Sequence, residues 1–193
     1  MWRTDVLVAP GQTAHFHLVL GMGERDETTA FAHLAVKDLA GTLERSALGW
    51  DKRVSLILKN LPEFQAEDSR LESFYYRSAL HLLLNRWEVP EFVLNPLYTT
   101  GSINGGCVCS YLWDYAAGWE IFPLIDREVA KNHIKAFLDI NLEKHFTFNP
   151  ISGAGWGPWY YINQEKIVFL IYYYVTLTGD EAFLQEKVGG KTV

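Results

Sequence analysis

The most constraining feature of this sequence is an apolar run from Ile167 to Val175. Helical spacing leaves this run without a polar face, so a helix over about residues 164–177 must be covered by neighbours on every side. The run is too short to span a bilayer. The sequence therefore predicts a helical assembly in a soluble protein, with this helix near its centre.

Composition and charge narrow the functional classes. The chain has 193 residues, 49% hydrophobic and 21% charged, which is typical of a globular domain or a piece of a larger one. The net charge is −6, and the 17 basic residues form no run, which argues against a nucleic-acid partner. Residues 1–5 turn polar too early for a signal peptide, so no targeting segment or membrane partner is expected.

Neither the cysteines nor the histidines indicate a bound metal or another cofactor. Cys107 and Cys109 are too close in sequence for a mutual disulfide and lack the second ligand pair of a zinc site. Both are interpreted as small buried residues, which do not indicate a compartment. His15 and His17 have the spacing of a metal-binding pair, but two histidines on the wet face of a strand are favoured because no third ligand is nearby.

The first 23 residues read as the end of a β-domain. Residues 6–20 predict two strands around a turn at Pro10, and apolar and polar side chains alternate from Ala14 onward. Because two strands alone do not form a stable sheet, residues 1–23 are interpreted as the C-terminal strands of a truncated β-sandwich.

The rest of the chain reads as helical. Residues 24–66 form a predicted helical linker, with one helix over about 24–45 and a second segment after Trp50 that ends at Pro62. Residues 67–193 carry predicted helices over about 67–88, from 112 to before Pro123, over 126–144 and over 164–177, with another beginning at 181. About two helical hairpins of this kind predict part of an α/α toroid, so the fold class is mainly α.

Two glycine-rich aromatic stretches carry the chemistry. The first, Gly101–Glu120, contains Trp113 and Asp114, and the second spans Asn149–Asn163. An aromatic ring next to a carboxylate, as in Trp113 and Asp114, suits a sugar ligand. The ring face stacks on the C–H surface of the sugar, and the carboxylate accepts hydrogen bonds from two hydroxyls. The alternative interpretation of an isolated Trp-Asp pair is structural, with Trp113 in the core and Asp114 at a helix start.

In order, the segments PGQTAHFHLVLG, SYLWDYAAG, GAGWGPWYY and YYYVTLTGDEAFL resemble the six-hairpin glycosidases, which include trehalases, processing α-glucosidases, glucoamylases, α-rhamnosidases and disaccharide phosphorylases. The resemblance implies a β-sandwich, a linker and an (α/α)6 barrel, and it implies that Trp113 and Asp114 hold the sugar of the −1 subsite. The predicted substrate-binding residues are Tyr111, Trp113, Asp114, Trp156, Trp159, Tyr160 and Gln164.

The resemblance also implies that binding and catalytic residues lie in different parts of a longer protein. Members take the general acid and base from later hairpins, so no catalytic residue is assigned in this chain, which is interpreted as a fragment and expected to be inactive alone. The expected substrate is an oligosaccharide or glycoside, cleaved with inversion by a paired acid and base. The alternatives are a non-catalytic carbohydrate-binding or interaction protein and a disaccharide phosphorylase of the same architecture.

Overall fold

A computed structural model describes residues 5–21, 23–101, 108–118 and 120–193. The chain is 52% helical and 7% strand, which confirms the mainly α class. Seven α-helices occur in the described residues: α1 (Arg25–Lys37), α2 (Leu39–Asn60), α3 (Ser69–Leu84), α4 (Leu112–Gly118), α5 (Phe122–Ile125), α6 (Arg127–Asp139) and α7 (Asn163–Thr178).

Three short antiparallel hairpins and one 3-10 helix, Glu181–Gln185, complete the described structure. The hairpins pair β1 (Arg86–Trp87) with β2 (Leu97–Tyr98), β3 (Thr147–Phe148) with β4 (Gly155–Trp156), and β5 (Lys187–Val188) with β6 (Lys191–Thr192). The chain divides into two compact units, the first ending at Lys52 and the second beginning at Arg53.

In the first unit, the predicted strand pair does not form. The turn is present, since the Gln12 amide donates to the Ala9 carbonyl at 3.0 Å, but residues 5–21 contain no strand. Phe16, Leu18 and Leu20 are exposed, so the alternating apolar face has nothing to cover it. Two strands without an apolar partner surface bury too little area to hold together, which is why the prediction of a β-hairpin is wrong for the described residues.

The helix boundaries in this region also differ from the prediction. A break between two helical segments was expected near Gly49 and Trp50, yet both residues lie inside α2. Asp38 precedes α2, and its carboxylate accepts from the Gly41 amide at 3.0 Å and from Arg45 at 3.1 Å. This cap satisfies a free amide of the first turn and starts the helix directly after α1.

The second unit is organised around α4 and α7, which run parallel. Near their N-terminal ends the Trp113 ring stacks on the Tyr160 ring. In the C-terminal half of α7, Tyr173 hydrogen-bonds Glu120, which follows α4. Leu112 of α4 and Leu170 of α7 are buried in the shared core. Two helices whose equivalent ends meet place their N-terminal loops side by side.

Helix α6 runs antiparallel to α7 and is joined to it by an ion-pair network. Lys131 contacts Asp180, which follows α7, at 3.1 Å, and it also pairs with Glu186. Tyr174 donates to the Asp180 carboxylate at 2.7 Å. This hydrogen bond, together with that from Lys131, lowers the pKa of Asp180 to about 2.

The burial of α7 corrects the central expectation drawn from the sequence. Ile167, Leu170 and Tyr174 are buried, but Val168 is 62% exposed and Tyr172 is 60% exposed. The prediction that α7 is covered on every side is therefore wrong, because α4, α5 and α6 pack against one side of it.

Of two other predicted helix ends, one is confirmed and one changes. A proline lacks an amide hydrogen, so Pro123 was expected to end the helix that starts at Leu112. This prediction is confirmed, since α4 starts at Leu112 and ends at Gly118. Pro123 occupies the first turn of α5, where its missing hydrogen costs no bond. Helix α6 ends at Asp139, earlier than the predicted 144, because the chain then turns toward β3.

A buried histidine joins α6 to the β1–β2 hairpin. The His133 Nδ1 lies 2.8 Å from the Val129 carbonyl, and Nε2 lies 3.2 Å from the Tyr98 amide nitrogen. Because a carbonyl only accepts, Nδ1 carries a hydrogen, while Nε2 also lies 3.3 Å from the Tyr98 carbonyl. Burial lowers the pKa of His133 to about 4, so the ring is neutral near pH 7. The Tyr98 carbonyl in turn accepts from Ser110 at 2.7 Å and from the Tyr115 hydroxyl.

The loop before α7 approaches the aromatic core through two glycines. A side chain at Gly155 would overlap the His145 ring, and one at Gly157 would overlap the Phe146 ring. Gly157 also has φ +73°, in the region that favours glycine. The His145 Nδ1 hydrogen-bonds the Gly157 carbonyl at 3.0 Å, which fixes this close approach.

We expect Gly157→Ala to destabilise the second unit by about 3 kcal/mol, because it adds a steric overlap with Phe146 to the cost of a left-handed backbone. Gly179→Ala is the matched control, since Gly179 has φ +68° and open space around its Cα. It should cost only about 1 kcal/mol. Urea unfolding of both variants checks this, and equal losses would show that the Phe146 contact is unimportant.

We expect His133 to make the protein acid-sensitive. Burial, the largest cause, lowers the pKa of His133 from 6.5 to about 4. Between pH 6.5 and about 4, the unfolded chain therefore binds a proton at His133 that the folded chain does not bind. The free energy of unfolding is fully retained above pH 6.5 and falls by on the order of 3 kcal/mol as the pH drops toward 4.

The His133→Gln variant should lack this component, as judged from urea unfolding at about pH 7 and about pH 4.5 compared with wild type. His81→Gln, at an exposed histidine, is the control and should retain the wild-type pH dependence. Parallel pH profiles for wild type and His133→Gln would contradict the assignment.

Candidate functional site

The predicted sugar-binding residues come from two loops that meet at the N-terminal ends of α4 and α7. Tyr111 directly precedes α4, and Trp113 and Asp114 lie in its first turn. The loop before α7 is held against them, since the Leu112 amide donates to the Phe146 carbonyl at 3.4 Å and Thr147 donates to the Ser110 carbonyl at 2.7 Å. The two aromatic stretches of the sequence are therefore neighbours in space.

Four rings form a continuous series, here called the aromatic ladder. Trp113 stacks on Tyr160, with ring centroids 5.9 Å apart and 12° between planes. Tyr160 contacts Phe146 at 5.5 Å, and Phe146 stacks on Tyr111 at 4.6 Å and 8°. Such offset aromatic contacts stabilise each pair by about 0.5–1.5 kcal/mol beyond the area that they bury. The ladder therefore connects Trp113, Tyr160 and Tyr111 through a buried phenylalanine.

The geometry of the ladder decides where a flat ligand can lie. Trp113 and Tyr160 contact each other, so no sugar ring fits between them, because a sandwiched ligand needs roughly 3.5–4 Å of contact distance on each side. Both rings are nevertheless accessible, with Trp113 44% exposed and Tyr160 42% exposed. A ligand would therefore stack on the free faces or edges of the pair.

Asp114 follows Trp113 in the first turn of α4 and supplies a half-buried carboxylate. Burial raises the pKa of the Asp114 carboxyl above its ordinary range, and a hydrogen bond from the Thr100 hydroxyl partly opposes that rise. The same hydroxyl accepts from the Tyr111 amide at 2.7 Å. Thr100 thus ties the carboxylate of α4 to the segment that precedes it.

Gln164 and Trp159 form a second, separate group. With the amide oriented to satisfy its neighbours, Gln164 donates to the Tyr161 carbonyl at 2.7 Å and accepts from the Trp159 indole nitrogen at 3.1 Å. Trp159 is half exposed, so the hydrogen bond fixes a ring that still faces solvent. Trp156, in β4 opposite Thr147, is also exposed. Within the described residues, no ring contact joins Trp156 or Trp159 to the aromatic ladder.

Three residues absent from the sequence prediction contribute to the site. Phe146 links the rings, Thr100 bonds Asp114, and Asn163 anchors the start of α7 by donating to the His145 carbonyl at 3.3 Å. The available signal for Phe146 was the alternation of residues 145–148, in which Phe146 and Phe148 recur at a spacing of two. Thr100 and Asn163 carry no such signal, because their partners are distant in sequence.

Part of the first aromatic stretch, residues 102–107, lies outside the described residues and includes Cys107. Cys109 is buried, in agreement with its interpretation as a small core residue. None of the helices in the described part of the chain combines the length and the apolar character that a membrane crossing requires.

Comparison with known proteins gave no relative: no protein-family model, no curated protein and no solved structure matches this chain.

We expect Thr100→Val to raise the pKa of Asp114 further, because the hydroxyl that stabilises the carboxylate is removed while its burial remains. Thr100→Ser keeps the hydroxyl and is the matched control. Carboxyl carbon chemical shifts of Asp114, followed through an NMR pH titration, measure the effect. An unchanged Asp114 titration in Thr100→Val would show that this hydrogen bond does not act on the carboxylate.

Proposed function

We propose that this chain supplies the sugar-binding part of a glycoside hydrolase of the six-hairpin type, with Trp113 and Asp114 at the −1 subsite. The observation that carries the proposal is the pairing of exposed rings with a half-buried carboxylate at the shared end of two parallel helices. Sugars present both apolar C–H faces and hydroxyl pairs, so this combination of groups matches their chemistry.

Each group has a distinct role in the proposed complex. The free faces of Trp113 and Tyr160 pack on the C–H surface of a pyranose and exclude water from it. The Asp114 carboxylate accepts hydrogen bonds from two neighbouring hydroxyls, which are stronger than neutral hydrogen bonds because the acceptor is charged. Thr100 orients the carboxylate, and Gln164 holds the Trp159 ring for contacts further along the ligand.

The helix arrangement is compatible with the proposed barrel. Helices α4 and α7 run in the same direction, and α6 runs antiparallel to α7. The aromatic loops at the N-terminal ends of α4 and α7 therefore lie at the same end of the helices. An α/α toroid repeats this unit, and the uncovered face of α7 is where a further hairpin would pack. The partial (α/α)6 toroid is therefore part of the proposal.

Hydrolysis in such a protein requires two carboxyl groups, a general acid for the leaving oxygen and a base that activates water. Asp114 is assigned to substrate binding, and the acid and base are proposed to come from other hairpins. The competing proposal is a carbohydrate-binding protein without turnover. It is favoured by the described contacts of Asp114, which include a hydroxyl and no second carboxylate.

We expect Trp113→Ala to weaken sugar binding by about tenfold or more, because the stacking surface at the carboxylate is lost. Tyr172→Ala is the matched control, since Tyr172 is an exposed ring on α7 away from the aromatic ladder. Quenching of tryptophan fluorescence is unsuitable for the variant, so isothermal titration with gluco-, galacto- and manno-oligosaccharides is the measurement. Equal effects of the two substitutions would contradict a specific role for Trp113.

Asp114→Asn separates binding from chemistry in the same titrations. The wild-type affinity should fall as the pH drops through the raised pKa of Asp114, because protonation removes the charged acceptor, and the variant should show a weak and pH-independent affinity. Turnover of the bound sugars, followed as reducing ends in a protein containing the proposed further hairpins, distinguishes the hydrolase from the binding protein. A variant with wild-type affinity would remove Asp114 from the site.

A further inference from the structure

A cleft of about 550 Å³ lies away from the aromatic ladder, between the second half of α6 and the turns of the β3–β4 and β5–β6 hairpins. Its volume is within the range of small-molecule sites, roughly 300–1,000 Å³. Polar side chains from three elements line it: Asn132, Lys135, Asp139, Ser152 and Lys187. None of these residues belongs to the proposed sugar site, so this cleft is a separate candidate.

The walls of the cleft are held by bonds that do not involve a ligand. The Val93 amide donates to the Pro150 carbonyl at 2.8 Å, which joins the 92–94 segment to the β3–β4 hairpin. Glu186 pairs with Lys131 and Lys135, which holds β5 against α6. The cleft is therefore formed in advance, as small-molecule sites usually are.

The charges that line the cleft are incompletely paired. Lys135 is neutralised by Glu186, whereas Asp139 and Lys187 have no ion-pair partner within the described ranges 5–21, 23–101, 108–118 and 120–193. They do not pair with each other either, so their charged atoms are more than 4.0 Å apart while lining one cleft. Asp139 and Lys187 are exposed, so each can contact one end of a ligand that carries both signs.

A hydroxyl and several apolar side chains also line the cleft. The Ser152 hydroxyl oxygen accepts from the Ala154 amide at 3.3 Å, so its hydrogen remains available to donate to a ligand. Val93, Leu94, Ala136 and Val188 supply an apolar surface in the same cleft. No aromatic ring from the described part of the chain lines it, which distinguishes its chemistry from that of the sugar site.

We propose that this cleft binds a free α-amino acid with an apolar side chain, whose ammonium group lies on Asp139 and whose carboxylate lies on Lys187. Ser152 and Asn132 are placed to donate further hydrogen bonds to the carboxylate, and the ligand side chain packs on Val93 and Val188. The proposal does not depend on the sugar-binding function, since it uses a different set of residues.

The test is titration of the full chain with leucine, observed by NMR chemical shifts of the backbone amides. Leucinamide, which lacks the carboxylate, and N-acetylleucine, which lacks the ammonium group, are titrated in parallel. We expect leucine to shift the amides that line the cleft and to bind about tenfold or more tightly than either analogue.

Two variants and one control assign each charge. Lys187→Gln should bind leucine about as weakly as the wild-type protein binds leucinamide. Asp139→Asn should bind leucine about as weakly as the wild-type protein binds N-acetylleucine. Each variant removes the partner of the group that the analogue lacks. Lys191→Gln, which changes an exposed lysine of the same hairpin outside the cleft, should behave as wild type.

Three results would overturn the proposal. The first is no amide shift in the cleft at millimolar leucine, and the second is equal affinity for leucine and both analogues. The third is tighter binding of the dipeptide leucyl-leucine than of leucine, which would assign the cleft to peptides instead. Since none of these results involves sugar, failure here leaves the test at Trp113 and Asp114 unaffected.

Discussion

The arrangement of the second unit depends on the hydrogen bonds made by the buried backbone of Tyr98. Its amide donates to the neutral His133 ring, and its carbonyl accepts from Ser110 and from the Tyr115 hydroxyl. Buried backbone groups that lose such partners cost about 1–3 kcal/mol each, so these bonds favour one arrangement of the surrounding elements. They join α6, the β1–β2 hairpin and the start of α4, which places the loop before α4 where the aromatic ladder forms.

The second constraint is the close approach of the glycine loop before α7. Gly155 and Gly157 allow the backbone to contact the rings of His145 and Phe146. Phe146 then lies between Tyr111 and Tyr160, and Tyr160 reaches Trp113. The same loop therefore serves packing and the proposed site, because the rings that fill the space beneath it are continuous with the rings that face solvent.

The two proposed sites use different chemistry on one scaffold. At the aromatic ladder, exposed rings and one desolvated carboxylate suit a neutral, hydroxylated ligand. At the α6 cleft, Asp139 and Lys187 present opposite charges without rings, which suits a small dipolar ligand. Both sites are bounded by the β3–β4 hairpin region, so the segment between α6 and α7 contributes to each.

The sequence by itself determined that the chain is mainly helical, that two glycine-rich stretches also carry aromatic residues, and that Asp114 adjoins Trp113, because helical periodicity and chain order are local properties. Only the tertiary structure decided which rings touch, how far Asp114 is desolvated and which side of α7 stays uncovered, since each depends on residues far apart in the chain. Residues 6–20 show the limit of local pattern. The alternation from Ala14 onward predicts a strand, but Phe16 and Leu18 are exposed and no strand forms in residues 5–21. Phe146 and Thr100 were missed for the same reason, because their roles arise from contacts with distant partners.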